Sequence, residues 1–208
     1  MSLIELATVR LKPHYTVPVS PSFTETWSHA LHDVSSAAGI PFHLYHSIND
    51  KSVYYLLGGW PTGADHISFL STPGAVDLAK AIGQFMTVDI VRHISGDIAP
   101  FGPRSEREFL RVSVYKVPIA HAGKWEREWM RDGGAGGWDE SATVQKQHAA
   151  FRKMGEVTGS EGAFGGTDGQ TFKTWIWIET ARDNPKEKAA ERSDEIGTET
   201  FEMEYAIG

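Results

Sequence analysis

The chain has 208 residues, a net charge of -7 and no cysteine, and 40% of it is hydrophobic, with 7 Trp, 6 Tyr and 10 Phe. That is enough apolar material for one large core or two small packed domains, and it argues against intrinsic disorder. The acidic balance, with no Lys/Arg cluster, argues against a nucleic-acid partner, and the missing thiols exclude disulfides, thiolate catalysis and Cys-ligated metal centres.

Met1–Glu5 turns acidic at once and no apolar run nears the ~20 residues of a membrane span, so neither signal peptide nor membrane segment is read and a cytoplasmic protein is expected. Ile4–Leu11 is β-rich and stops at Pro13. Ser20-Pro21 opens a helix whose apolar stripe is Phe23, Trp27, Ala30, Leu31 and Val34, with Gly39 as its C-cap. Phe42–Ser47 and Val53–Trp60 read as strands joined by a hairpin connection through Asn49-Asp50. Asp65–Leu70 and Ala75–Phe85 read as helices, and Val88–Ile98 as a fourth strand. Past the Pro/Gly-rich Ala99–Arg104, the order begins again. Phe109–Val117 is a strand and Gly123 starts a helix, which Gly133–Gly137 interrupts and which resumes over Ser141–Val157. Phe164 marks a Gly-rich strand, Thr171–Glu179 a third, Asn184–Glu195 a charged helix and Thr198–Ala206 the last strand. The glycine run is long enough for a lid, although a surface loop is the plainer reading.

The order βαββαβ therefore runs twice. The expected fold class is α+β: two tandem ferredoxin-like units, residues 1–99 and 109–208 with a linker at 100–108, packed sheet to sheet as an intramolecular dimeric α/β barrel. The segment Ile4–Pro13, the helix bearing Trp27, and Tyr54-Tyr55-Leu56-Leu57-Gly58-Gly59-Trp60 followed by Ala64-Asp65-His66 and Phe69-Leu70 resemble the antibiotic-biosynthesis monooxygenase family of dimeric α/β-barrel proteins. That resemblance covers residues 4 to 98. It implies a strand ending in an aromatic residue followed by a short His-bearing helix, hence Trp60 and His66 as substrate-contacting positions. It also implies one of several activities, among them cofactor-free monooxygenation of phenols, polyketide cyclisation and small-molecule isomerisation.

If helices cover one face of each sheet, polar side chains should mark the other as a ligand-holding lumen. Alternation then sends His43 and Tyr45 inward from the second strand, Asp89 and His93 from the fourth, Arg111 and Tyr115 from the fifth, Trp175 and Trp177 from Lys173–Glu179, and Glu202 from the last. Ile4–Leu11 and Val53–Trp60 do not separate into faces. His43, His93, Asp89, Arg111, Tyr115 and Glu202 are the candidate catalytic groups, and Tyr45, Trp175, Trp177, Trp60 and His66 the candidate substrate contacts. The plain alternative for Asp89 and Glu202 is an ion pair with Arg111 or Arg92. No HExxH, His-x-His or P-loop motif is present, so neither metal nor cofactor is expected.

The expected function is a cofactor-independent cyclase or isomerase, including pericyclic variants, that folds a polyketide- or terpenoid-like substrate against aromatic walls with acid/base assistance. The alternatives are a cofactor-free monooxygenase acting with O2 on a phenol or anthrone, and a non-catalytic small-molecule binding protein. The expected partner is a small apolar or aromatic molecule, bound by a monomer with a pseudo-dimeric barrel or by a homodimer.

Overall fold

A computed structural model of the chain describes residues 3–15, 20–95, 109–131, 152–156, 172–181 and 197–207. The elements are β1 (Leu3–Leu11), α1 (Pro21–Ala38), β2 (His43–Ser47), β3 (Val53–Trp60), α2 (Gly63–Leu70), α3 (Pro73–Phe85), β4 (Met86–Ser95), β5 (Phe109–Pro118), α4 (Ile119–Arg131), β6 (Arg152–Glu156), β7 (Phe172–Ala181) and β8 (Gly197–Ile207). Local chemistry sets the helix ends. Ser20 caps α1 by accepting the Phe23 N–H, and Gly39 ends it at φ 66°, a left-handed conformation that glycine adopts at no steric cost. Thr62 and Thr72 cap α2 and α3 in the same way, through the Asp65 and Ala75 N–H groups.

All eight strands belong to one antiparallel sheet of order β4-β1-β3-β2-β8-β5-β7-β6. The two runs of four share the same internal order, and they join edge to edge where Tyr45 on β2 opposes Tyr205 on β8. The expected pair of separate sheets packed face to face is thus replaced by one curled sheet. Its two ends, β4 and β6, come into contact.

Curling folds one face inward. Ile4, Leu6, Leu57 and Ile94 from the first half pack there with Val112, Val114, Ile176, Ile178 and Met203 from the second. The outer face of β1–β4 packs Val9, Leu11, Leu44, Tyr54 and Trp60 under the apolar stripe of α1, where Phe23, Trp27, Leu31 and Val34 are buried. Gly58 makes this packing possible, because a Cβ there would collide with the buried Phe42 ring. Among the described residues, no helix is long and apolar enough to cross a membrane.

Residues 152–156, expected within a helix, form β6 instead. Their backbone pairs with β7 from Arg152↔Glu179 to Glu156↔Trp175, and sheet-edge pairing prevails over the local pattern, in which Gly155 already disfavours helix. The expected linker, the glycine run at 133–137, the strand at Phe164 and the helix over Asn184–Glu195 lie outside the described residues.

Candidate active site

The outer face of the first four strands carries a charged group in the middle of an apolar layer. Glu5 on β1 is 8% exposed, and its register partners are Gly58 on β3 and His93 on β4. Partners in register share a face, so His93 stands beside Glu5, while Gly58, lacking a Cβ, gives up its place on that face to the Phe42 ring. Trp60, two residues beyond Gly58, donates its indole N–H to Glu5 Oε2 at 2.7 Å. The Thr62-capped turn then brings α2 back over the strand end. His66 stacks on Trp60, with ring centroids 4.8 Å apart and planes 22° apart. Its Nε2 lies 3.3 Å from Glu5 Oε2, and His93 Nε2 lies 3.7 Å from the same oxygen.

Burial alone would raise the Glu5 pKa. The neighbouring His93 and His66 and the Trp60 N–H more than reverse this, holding the carboxyl below its ordinary value and therefore ionised at neutral pH. Burial pushes the His66 imidazole down, and it outweighs the opposing pull of Glu5. The pair at neutral pH is a carboxylate beside a neutral imidazole, an arrangement suited to accepting a proton.

Glu5, Trp60 and His66 form part of the wall of a cavity of about 220 Å³ between the sheet and α1, α2 and α3. The rest of the wall is apolar, including Trp27, Leu31, Leu56, Phe69 and Ile82. A space of this shape takes a ring-bearing molecule with one polar edge toward Glu5 and His66.

The sequence-derived candidates separate under this geometry. His43 and Tyr45 do face inward, as alternation predicts, but onto a packed apolar core. His43 touches the Tyr205 ring at 6.0 Å between centroids, its two buried nitrogens make no hydrogen bond, and burial lowers its pKa. His93, Arg111, Tyr115 and Glu202 face outward, a correction to the expected lumen. Ile94 and Ile90 take the inner positions on β4, and Leu110, Val112 and Val114 those on β5. The inner face is mostly apolar because curling presses the two halves together, and the charge it does bury, Arg92, lies 3.6 Å from the Glu199 carboxylate. Arg111 Nε instead donates to Glu202 Oε1 at 3.1 Å, the plain ion-pair alternative. Tyr115 packs on Trp125 of α4. Asp89 sits where the β1–β4 register shifts between Thr8 and Val9, and binds Arg10 at 3.0 Å, away from His93. The backbones of Trp175 and Trp177 oppose Tyr115 and Ser113. The side chains of both lie outside the described set.

Of the candidates, His66, Trp60 and His93 come together around Glu5, which alternation did not single out. The available signal was a lone carboxylate inside the apolar run Leu3–Val9. The Glu5–His66–His93 grouping also answers the motif survey. No short spacing announces it, yet one ligand atom from each residue lies within 4.8 Å of the others.

No protein-family model and no curated protein matches the chain. Solved structures do. A candidate monooxygenase from Fusobacterium nucleatum aligns with TM-score 0.64 at 10% identity, over 98% of this chain and 92% of that one. A chlorite dismutase variant from Candidatus Nitrospira defluvii gives 0.55 at 12% identity, over 99% and 90%. An anthrone oxidase-like protein gives 0.53 at 7% identity, over 98% and 91%. At such identities the likeness establishes a shared α+β barrel-like fold. The resemblance to tandem antibiotic-biosynthesis monooxygenase units is overturned, since no family model supports it and the similar structures are candidate monooxygenases and chlorite dismutases. The motifs behind it, a strand ending in Trp60 and a following His66, mark the junction of β3 and α2.

Proposed function

We propose that this chain is an enzyme that oxidises a small, ring-bearing, ionisable molecule with molecular oxygen, as a monooxygenase, in the cavity beneath α1–α3. One observation carries the reading: an ionised Glu5 and a neutral His66 stand together on the wall of an otherwise apolar cavity. A phenol or anthrone placed there loses its acidic proton to His66. Glu5 holds the ring in place by accepting from its Nε2–H, so Nδ1 takes the proton and the resulting imidazolium faces a carboxylate. The substrate anion is the form that gives electrons to O2. For an anthrone-type CH2 the balance is one oxygen atom into the new carbonyl, while the two hydrogens leave with the second oxygen atom as water. Further support comes from similar structures named for oxygenation and for anthrone oxidation. Those names give no support to the cyclase or isomerase reading. We also read the repeated strand order as a tandem pair of ferredoxin-like units, residues 1–99 and 109–208, with a pseudo-dimeric monomer as the working unit.

The test is oxygen uptake with product mass on a panel of polycyclic phenols and anthrones. Oxygen consumed with one oxygen atom gained and two hydrogens lost is the expected result. A product of unchanged mass, or one lighter by a water, formed without oxygen would replace this reading with a cyclase or isomerase. A ligand bound and returned unaltered would make the chain a binding protein.

A further inference from the structure

We infer that Glu5, His66 and His93 form a binding site for one divalent first-row transition ion, with open positions toward the cavity. This deepens the proposed function, since it rests on the same site: with the ion bound, His66 Nε2 coordinates it instead of donating to Glu5, and the ion takes over from His66 the task of favouring and holding the substrate's deprotonated oxygen. Two imidazole nitrogens and one carboxylate oxygen form a donor set suited to borderline ions such as Fe(II), Co(II) and Zn(II), and three ligands leave room for an exogenous oxygen. The donors come from three different elements, β1, α2 and β4, so the fold and not a local turn assembles them.

The distances suit the assignment. An ion about 2.0–2.2 Å from each ligand atom needs those atoms about 3.0–3.6 Å apart. Glu5 Oε2 lies 3.3 Å from His66 Nε2 and 3.7 Å from His93 Nε2, and one ligand atom from each residue lies within 4.8 Å of the others. A second observation points the same way. The Trp60 indole N–H fixes the Glu5 carboxylate from outside the triad, and stacking on Trp60 fixes the His66 ring. Outer partners that orient carboxylate and imidazole ligands are a regular part of metal sites. Glu5 and His66 also line the cavity, so an ion between them reaches a molecule bound there.

The experiment is Co(II) titration of the full chain after chelator treatment and buffer exchange, followed by calorimetry and by visible absorption of the bound ion. One Co(II) per chain is expected. Glu5→Gln and His93→Ala should each weaken binding by roughly 100-fold and Trp60→Phe by roughly 10-fold, while His43→Ala, whose site lies on the opposite sheet face, binds as the parent does. Circular dichroism identifies any variant that fails to fold, and the remaining one of the pair Glu5→Gln and His93→Ala then decides. No saturable binding by the parent, or binding that both variants leave intact, overturns the site. Oxygen uptake by the chelated chain in the absence of Co(II) binding would overturn the metal inference and leave the oxygenase reading standing. Stoichiometric binding with no oxygen uptake on any substrate would do the reverse.

Discussion

Glu5 and Arg111 hold matching places in the two halves of the sheet. Each is the third residue of its strand, and each faces across to the last strand of its own half, Glu5 to His93 and Arg111 to Glu202. The chemistry differs. Around Glu5 stand groups that exchange protons or ligate ions, and a cavity opens beside them. Arg111 and Glu202 form a charge pair at 3.1 Å, and a guanidinium keeps its proton throughout the physiological range. One backbone geometry therefore carries a reactive cluster in one half and a structural ion pair in the other. The difference comes from which side chains stand there, and from whether the helices above leave a space.

The sharpest way to break this comparison is to remove one carboxylate from each half. Glu5→Gln should lower the oxygen-uptake rate by about 10²–10⁴-fold, the usual worth of a positioned proton acceptor, because His66 then loses the carboxylate that orients it and faces its imidazolium. Glu202→Gln should leave the rate unchanged and cost about 1–3 kcal/mol of stability, because it weakens the pairing of Arg111. Equal losses of rate would mean that the two places do the same work.

Gly58 stands opposite Glu5, and its missing Cβ makes room for Phe42. Gly58→Ala should destabilise the chain by about 1–3 kcal/mol in urea or thermal unfolding, as overpacking does. Because Phe42 packs edge-on against Trp60, with centroids 5.7 Å apart, the same change should also reduce activity. A variant with the parent's stability would show that the β3 face is looser than its packing indicates.

The smallest expected effect concerns His43 on the inner face. Its pKa is lowered from 6.5 by burial, so the unfolded chain binds the proton more readily. The stability this residue contributes is present above pH 6.5 and declines as pH falls through that value toward the lowered folded one. His66 shifts in the same direction, so the comparison is between parent and variant. His43→Leu should flatten part of the slope of stability against pH between about 5 and 7. An unchanged slope would assign all of it to the outer cluster.

Much of the fold was legible along the chain. The caps at Ser20 and Gly39, the apolar stripe of α1, and the strand limits near Leu11, Trp60 and Ser47 follow from local rules. The faces of the strands did not follow. Alternation alone assigns polar residues on β4, β5 and β8 to a lumen, yet the curled sheet uses its inner face as core, and His93, Arg111 and Glu202 turn outward. The irregular register at Asp89 added to the error on β4, since one displaced residue reverses the alternation beyond it. Trp60 and His66 were visible as a strand end and a helix start, but nothing local ties either of them to Glu5.

The sequence by itself determined most of the described elements, β6 excepted, and the absence of thiol chemistry, because periodicity, capping and composition act over a few residues. Only the tertiary structure decided which sheet face is core, that the two halves share one sheet, and that Glu5, His66 and His93 meet. Those outcomes depend on contacts between distant strands and helices, where the exclusion of water sets which polar groups must find each other.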